Sequence, residues 1–154
     1  SECCSRQRGA ARVTVWVRGG RGGWRGDPLS PTDAYVRVVL GQRHARTATV
    51  WNNQWPNWGE RLDLGWVVLP AAPRLRVEVW DEDNGWDDDL LGGCEEPLRV
   101  GGRHLVCYAG GGRLEWGYRL SCGPALGGPL CEDYVPNPPK NFGGISRFTH
   151  WPPG

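Results

Sequence analysis

The stretch R-L-R-V-E-V-W-D-E-D-N-G-W-D-D-D-L-L-G, residues 74–92, decides the fold. It opens with a strict alternation that puts Leu75, Val77 and Val79 on one face, the pattern of a half-buried β-strand. The strand then runs into six carboxylates, with no Lys or Arg between residues 77 and 98 to neutralise them. Carboxylates this close repel one another, so a folded chain keeps them only where solvent, arginines or a cation relieve the charge. Ligation by oxygen alone points to calcium.

The composition indicates one all-β domain. The chain has 154 residues, 24 of them Gly and 13 Pro, which favours many turns and argues against long helices. The net charge is +1, and the basic residues are scattered without forming the stripe that nucleic-acid binding needs. No run of about 18 apolar residues is present, so we expect no membrane-spanning helix.

The six cysteines indicate an oxidising compartment, because their spacing fits no C-x-x-C zinc pattern. The adjacent Cys3 and Cys4 precede the first predicted strand, and their partners are expected in a segment upstream. The chain has no Met and no apolar leader, so we expect it to be part of a longer, secreted or granule-lumenal protein.

Alternating patterns predict about eight short strands, and hence an eight-stranded antiparallel β-sandwich. The clearest strands are residues 12–17, 33–40, 43–50, 60–64, 74–80, 104–108 and 113–120. The short turn at Gly41 and Gln42 predicts a hairpin. Residues 19–33 are predicted to be a long loop, and residues 121–154 an irregular Pro/Gly-rich extension.

A second acidic loop supports the cation hypothesis. Residues 19–33 carry Trp24, Asp27 and Asp33, and loops of a sandwich cluster at the two ends of its sheets. A lone run of aspartates is more often a solvated turn, but two acidic loops at one end would supply the oxygens that calcium needs. The register of an EF-hand does not fit, so the site has to be built from separate loops.

Tryptophans beside the acids suggest contact with lipid headgroups, where indole rings are favoured. Trp24 and Trp86 lie within three residues of an aspartate. Four tryptophans on or beside strands are instead expected in the core: Trp16, Trp58, Trp80 and Trp116. No histidine adjoins a serine or cysteine in a known nucleophile motif, and the acids are bunched, so we expect no enzyme.

Three motifs carry a resemblance to a known family: G-G-W-R-G-D-P-L-S-P-T-D-A-Y-V-R-V from residue 22, T-V-W-N-N-Q-W-P-N-W from residue 49, and residues 75–92. Together they resemble the C2 domain at the C-terminus of MACPF pore-forming cytolytic proteins. The resemblance implies a division into the end of an EGF-like segment (1–10), a C2 β-sandwich (11–120) and a tail with a disulfide (121–154).

The resemblance also assigns residues to roles. The calcium ligands would be Asp27, Asp33, Asp81, Asp83 and Asp89, with Asp88 contributing to a further ion. This leaves Glu82 and Asp87 as the acids of the stretch that we expect to face solvent. The membrane contacts would be Trp24 and Trp86, with Trp55 added from the loop around residue 55. The implied disulfides are Cys94 with Cys107 and Cys122 with Cys131.

The implied function is calcium-dependent docking of a pore-forming protein on phospholipid, with phosphocholine headgroups as the expected partners. The protein would be secreted from cytotoxic granules onto the target-cell membrane and would oligomerise into pores, while this domain alone would be monomeric. Two alternatives stay open: a secreted calcium-dependent module that recognises carbohydrate or protein, and a structural sandwich with an acidic rim.

Overall fold

The computed structural model describes residues 7–24, 32–82 and 87–136, which form two antiparallel sheets and a small ribbon. The first sheet has the order β5-β1-β9-β8, with β1 Ala10–Arg21, β5 Asn57–Val68, β8 Gly101–Ala109 and β9 Gly112–Cys122. The second sheet has the order β3-β2-β6-β7, and β4 also pairs with β2; its strands are β2 Thr32–Leu40, β3 Arg43–Arg46, β4 Val50–Asn53, β6 Arg74–Asp81 and β7 Asp89–Pro97. The ribbon pairs β10 Leu126–Gly127 with β11 Asp133–Tyr134.

The alternation of the sequence sets the core between the two sheets. Inward residues of both sheets are fully buried and form one apolar cluster: Val13, Val15, Val17, Val36, Val38, Leu75, Val77, Val79, Leu114, Trp116, Tyr118 and Leu120. Successive side chains on a strand point to opposite faces, so the intervening residues line the outer faces. The predicted antiparallel β-sandwich is confirmed. Within the described residues no helix is long and apolar enough to cross a membrane.

The two large sheets contain nine strands rather than eight, because the segment predicted as one strand over residues 43–50 is divided at Thr47. The backbone N–H and side-chain oxygen of Thr47 both bond Val36, with N–H to carbonyl at 2.9 Å and the Val36 N–H to Oγ1 at 3.0 Å. This buried double contact ends β3, and pairing with β2 resumes only at Val50.

Strand β1 is longer than its sequence predicts. Residues 19–21 were expected in a loop, yet Gly20 pairs with Leu114 and Arg21 with Arg113 on β9. A side chain at Gly20 would collide with the carbonyl oxygen of Arg113, so glycine here permits a close approach between strands instead of a turn. A register shift between Val17 and Gly19 accommodates the bend.

Both expected disulfides are present. Cys94 on β7 joins Cys107 on β8, with Cα atoms 6.0 Å apart, and so links the two sheets. Cys122 joins Cys131, with Cα atoms 5.2 Å apart, and attaches the start of the tail to the end of β9. The described part of the tail contains regular secondary structure that the sequence did not predict, because the β10–β11 ribbon lies within it.

Candidate calcium-binding site

Three of the predicted ligands lie at the same end of the second sheet. Asp33 lies at the start of β2, Asp81 ends β6 and Asp89 begins β7. Asp81 stands directly opposite Asp89 on one side and Ala34 on the other. The Asp33 backbone N–H donates to Asp81 Oδ1 at 3.0 Å, which ties the two strands together. Like charges directly opposite each other on paired strands repel, so a bound cation would stabilise the pair formed by Asp81 and Asp89.

Asp88, the predicted auxiliary ligand, accepts a hydrogen bond from a residue on β2. The Tyr35 hydroxyl donates to Asp88 Oδ2 at 2.7 Å across 53 residues of sequence. Burial first, and then the hydrogen bond to Asp88, raise the pKa of Tyr35 to about 12. The phenol therefore keeps its proton at neutral and mildly acidic pH and stays a donor.

Glu82 does not face solvent as expected. Its Oε1 accepts a hydrogen bond from the Thr49 hydroxyl and lies 3.4 Å from Arg46 Nη2, while its backbone N–H donates to the Asp33 carbonyl at 2.8 Å. The Glu82 side chain is therefore only 28% exposed, because its side-chain partners come from β3 and the segment after it, which the local sequence does not place beside Glu82. Asp87, in contrast, is exposed as predicted.

The donor set suits a hard cation, although only part of it lies within the described residues. Asp27 and Asp83 fall outside them. Among the residues that are described, no group of three or more His, Cys, Asp or Glu side chains is close enough to hold a metal ion. The described acids offer carboxylate oxygens alone, the donors that calcium takes in proteins.

Strand β4 borders the acidic end, and together with the loop that joins it to β5 it presents two exposed tryptophans. Asn52, on β4, donates its backbone N–H to Asp33 Oδ1 at 2.6 Å, which fixes this strand against the predicted ligand. Trp55 is 68% exposed and Trp51 is 54% exposed. Trp55, a predicted membrane contact, therefore has an accessible ring three residues after Asn52, and Trp51 is an exposed neighbour of Asn52 that the sequence did not single out.

Trp24, expected at the membrane surface, is buried at 3% exposure. Its indole lies over Gly112, where a Cβ would collide with the ring, so the absence of a side chain at Gly112 makes room for it. In this arrangement Trp24 packs in the core cluster and offers no ring to a membrane. Trp86 lies outside the described residues.

The four tryptophans expected in the core divide into two groups. Trp58 and Trp116 are buried, and Trp58 Nε1 donates to the Ala34 carbonyl at 3.1 Å. Trp16 and Trp80 are only partly buried, because both occupy outward positions of their strands. The ring of Trp80 stacks on Tyr35, with centroids 6.5 Å apart and planes 7° apart.

Tyr35 and Arg46 are the residues of this end that sequence reasoning missed. Arg46 Cζ lies 3.5 Å from the centroid of the Tyr35 ring, a cation–π contact. The only available signal for Tyr35 was its outward register two residues after Asp33. No sequence signal pointed to Arg46, because its contacts with Tyr35 and Glu82 depend on the pairing of β2 with β3.

Comparison with known proteins agrees with this fold and its sequence motifs. The C2 domain family matches residues 11–107. Human perforin-1 is 44% identical over 148 residues, which cover 93% of this chain and 26% of that protein, so the chain spans about a quarter of its relative.

Two solved structures share the architecture. One, described as the structure of a C2 domain, is 32% identical, covers 72% of this chain and 98% of that chain, and has a TM-score of 0.58. A calcium-bound pair of C2 domains from extended synaptotagmin 2 is 16% identical, covers 74% of this chain and 46% of that chain, and has a TM-score of 0.57. The chain belongs to the C2 domain family.

Proposed function

We propose that this chain is a calcium-dependent module that binds phospholipid and carries no catalytic activity. The observation that carries the proposal is the placement of Asp33, Asp81 and Asp89 at one end of the second sheet, beside β4, which together with the loop after it carries two exposed tryptophans. Carboxylates alone would repel the phosphate groups of a bilayer, and exposed indoles alone would bind the bilayer whether or not calcium is present. Together they suit a surface that meets lipid only when its negative charge is cancelled.

The ligands of the ion would be Asp33, Asp81 and Asp89, completed by Asp27 and Asp83, with Asp88 serving a further ion. When bound, calcium would neutralise these carboxylates and leave coordination positions for lipid phosphate oxygens. The protein supplies a rigid base for the site, because Asp33 and Asp81 are joined by a hydrogen bond and Asp81 and Asp89 are neighbours on paired strands.

The membrane contact would be made by Trp55 and Trp86, with Trp51 as a neighbour of Trp55. An exposed indole gains from the headgroup region because its ring is apolar while its N–H still finds a polar partner. Trp24 takes no part in this contact while it is buried at 3% exposure, and we assign it to packing.

The larger role we propose is docking of a pore-forming protein on target membranes for cytolysis, after secretion from cytotoxic granules. The similarity to human perforin-1 across 93% of this chain supports this context. Phosphocholine headgroups are the proposed lipid partner. The chain itself would act as a monomer and the whole protein would oligomerise.

Calorimetric titration of the 154-residue chain with calcium tests the site. We expect Asp81→Asn to weaken calcium binding by about tenfold or more, since it removes one ligand charge and one of the paired carboxylates. Asp87→Asn is the matched control, because Asp87 lies in the same acidic stretch but is exposed. Equal affinities for the parent and Asp81→Asn would refute the assignment.

A further inference from the structure

We propose that Tyr35 is a positioning residue for the calcium site, which it serves by fixing the carboxylate of Asp88 through its hydroxyl group. The inference rests on the proposed calcium-dependent function and deepens it. It gives a role to Tyr35, which is not one of the aspartates. Tyr35 lies on β2, far in sequence from the acidic stretch, and the fold brings the two together.

The contact joins two distant parts of the chain. Tyr35 lies on β2, and its hydroxyl donates to Asp88 Oδ2 at 2.7 Å. Asp88 immediately precedes Asp89, which begins β7 opposite Asp81. A hydrogen bond to one carboxylate oxygen fixes the orientation of the group, so that the other oxygen is presented in one direction.

The hydroxyl is itself held in place, because the Tyr35 ring has little freedom to turn. The side chain is 6% exposed although it points to the outer face of its sheet. The indole of Trp80 stacks against it with a centroid separation of 6.5 Å, and the guanidinium carbon of Arg46 lies 3.5 Å from its centroid.

Arg46 is fixed in turn by three acceptors. Its Nε donates to the Thr47 carbonyl at 2.9 Å, and its Nη2 donates to Thr49 Oγ1 at 2.9 Å and to Glu82 Oε1 at 3.4 Å. The chain of contacts therefore runs from β3 through Arg46 and Tyr35 to Asp88. Since Glu82 directly follows Asp81, the same arginine also anchors the start of the acidic loop.

This arrangement matches the way in which outer partners orient metal ligands. A hydrogen bond to a ligating group sets its rotamer before the ion arrives, and loss of such a partner costs about 10- to 100-fold in metal affinity. Tyr35→Phe removes the hydroxyl and keeps the ring with its contacts to Trp80 and Arg46. We expect calcium binding to weaken about tenfold, at the low end of that range.

The test is a double-mutant cycle on the 154-residue chain, with calcium affinity measured by calorimetry and the melting temperature measured without calcium. The variants are Tyr35→Phe, Asp88→Asn and both together. If Tyr35 acts through Asp88, its substitution weakens binding in the parent and has no further effect in the Asp88→Asn background. A general loss of packing would weaken binding equally in both backgrounds, and that result would overturn the proposal.

Tyr118→Phe is the matched control. Tyr118 is buried on β9, and its hydroxyl lies 3.4 Å from the carbonyl of Pro97, at the opposite end of β7 from Asp89. This variant should leave calcium affinity unchanged. Should Tyr35→Phe not fold, Arg46→Met provides the second test, with a smaller weakening expected because the hydroxyl remains and only its support is removed.

The outcomes separate this inference from the proposed function. If the parent binds calcium and Tyr35→Phe binds it equally well, only the role of Tyr35 is overturned. If the parent chain binds no calcium, the proposed function fails and the role of Tyr35 fails with it.

Discussion

Glu78 illustrates how a buried charge is stabilised on the outer face of the second sheet. It is 8% exposed, and its carboxylate accepts hydrogen bonds from Arg76 Nε at 2.7 Å and Trp80 Nε1 at 3.0 Å. Burial opposes ionisation most strongly, but the bonds from Arg76 and Trp80 and the charges of Arg76 and Arg37 outweigh it and lower the pKa of Glu78 below its ordinary 4.5.

A carboxylate with a lowered pKa stabilises the fold above its unfolded-state value, and this contribution is lost as the pH falls through its folded-state value. We expect Glu78→Gln to reduce the free energy of unfolding by about 1–3 kcal/mol at pH 7, because charge-assisted bonds are lost. The loss should begin to shrink as the pH falls below the ordinary pKa of 4.5, and it should vanish once the pH is below the lowered folded-state pKa, where the folded parent residue becomes protonated as well. Urea unfolding at neutral and acidic pH measures the difference, and a loss that does not depend on pH would contradict the account.

Trp24 provides the second prediction at this scale. Because its ring fills space over Gly112, we expect Trp24→Ala to lower the free energy of unfolding by about 3–5 kcal/mol. Chemical denaturation measures this, with Trp55→Ala as the control, since that ring is 68% exposed and should cost little stability. A Trp24→Ala chain that keeps full stability but loses vesicle binding would restore the membrane role expected from its sequence.

The sequence indicated which residues would be neighbours in the fold only where one local pattern contained the signal. Asp81 and Asp89 follow and precede strands within one short stretch, so their approach could be inferred from register. The bond between Tyr35 and Asp88 spans 53 residues and depends on the pairing of β2 with β6. No periodicity encodes such a contact, which is why it emerges only from the fold.

At the scale of elements, alternation predicted the strands and local exceptions altered their ends. Thr47 divides one predicted strand because its side chain bonds the neighbouring backbone. Gly20 lengthens another because its lack of a side chain admits the carbonyl of Arg113. In sequence, Gly20 is an ordinary turn signal and Thr47 an ordinary strand residue, and only their neighbours on the paired strand determine which role they take.

The disulfide between β7 and β8 yields a prediction about the elements that it joins. We expect Cys94→Ala with Cys107→Ala to lower the free energy of unfolding by about 2–4 kcal/mol, since the link between the sheets constrains the unfolded chain. Cys122→Ala with Cys131→Ala is the comparison, because this bond attaches only the tail to β9. Urea midpoints of the two variants measure the difference, and a larger shift from the tail variant would contradict this ranking.

For the whole molecule, fold class followed from the sequence because turn-rich composition and period-two patterns leave few alternatives to a sandwich. The calcium site stays a prediction, drawn from two acidic stretches of sequence, and of its predicted ligands the described residues include Asp33, Asp81, Asp88 and Asp89. Its supporting residues were not predictable, since Arg46, Thr49 and Glu82 meet only after β3 folds against β2.

Calcium should stabilise the whole domain as well as bind it. A ligand present at about 100 times its dissociation constant adds about 2.7 kcal/mol when it binds only the folded state. We therefore expect the melting temperature of the parent chain to rise in calcium, and the rise to disappear in Asp81→Asn. A sandwich whose acidic rim is merely structural would show no calcium-dependent rise.

The most direct test of the central claim is flotation of the 154-residue chain with phosphatidylcholine vesicles, in calcium and in excess chelator. We predict that the chain floats with the vesicles in calcium and stays in the dense fraction when calcium is removed. Calcium binding without flotation would favour a module that recognises carbohydrate or protein. Equal flotation in both conditions, or none in either, would contradict calcium-dependent binding to phospholipid.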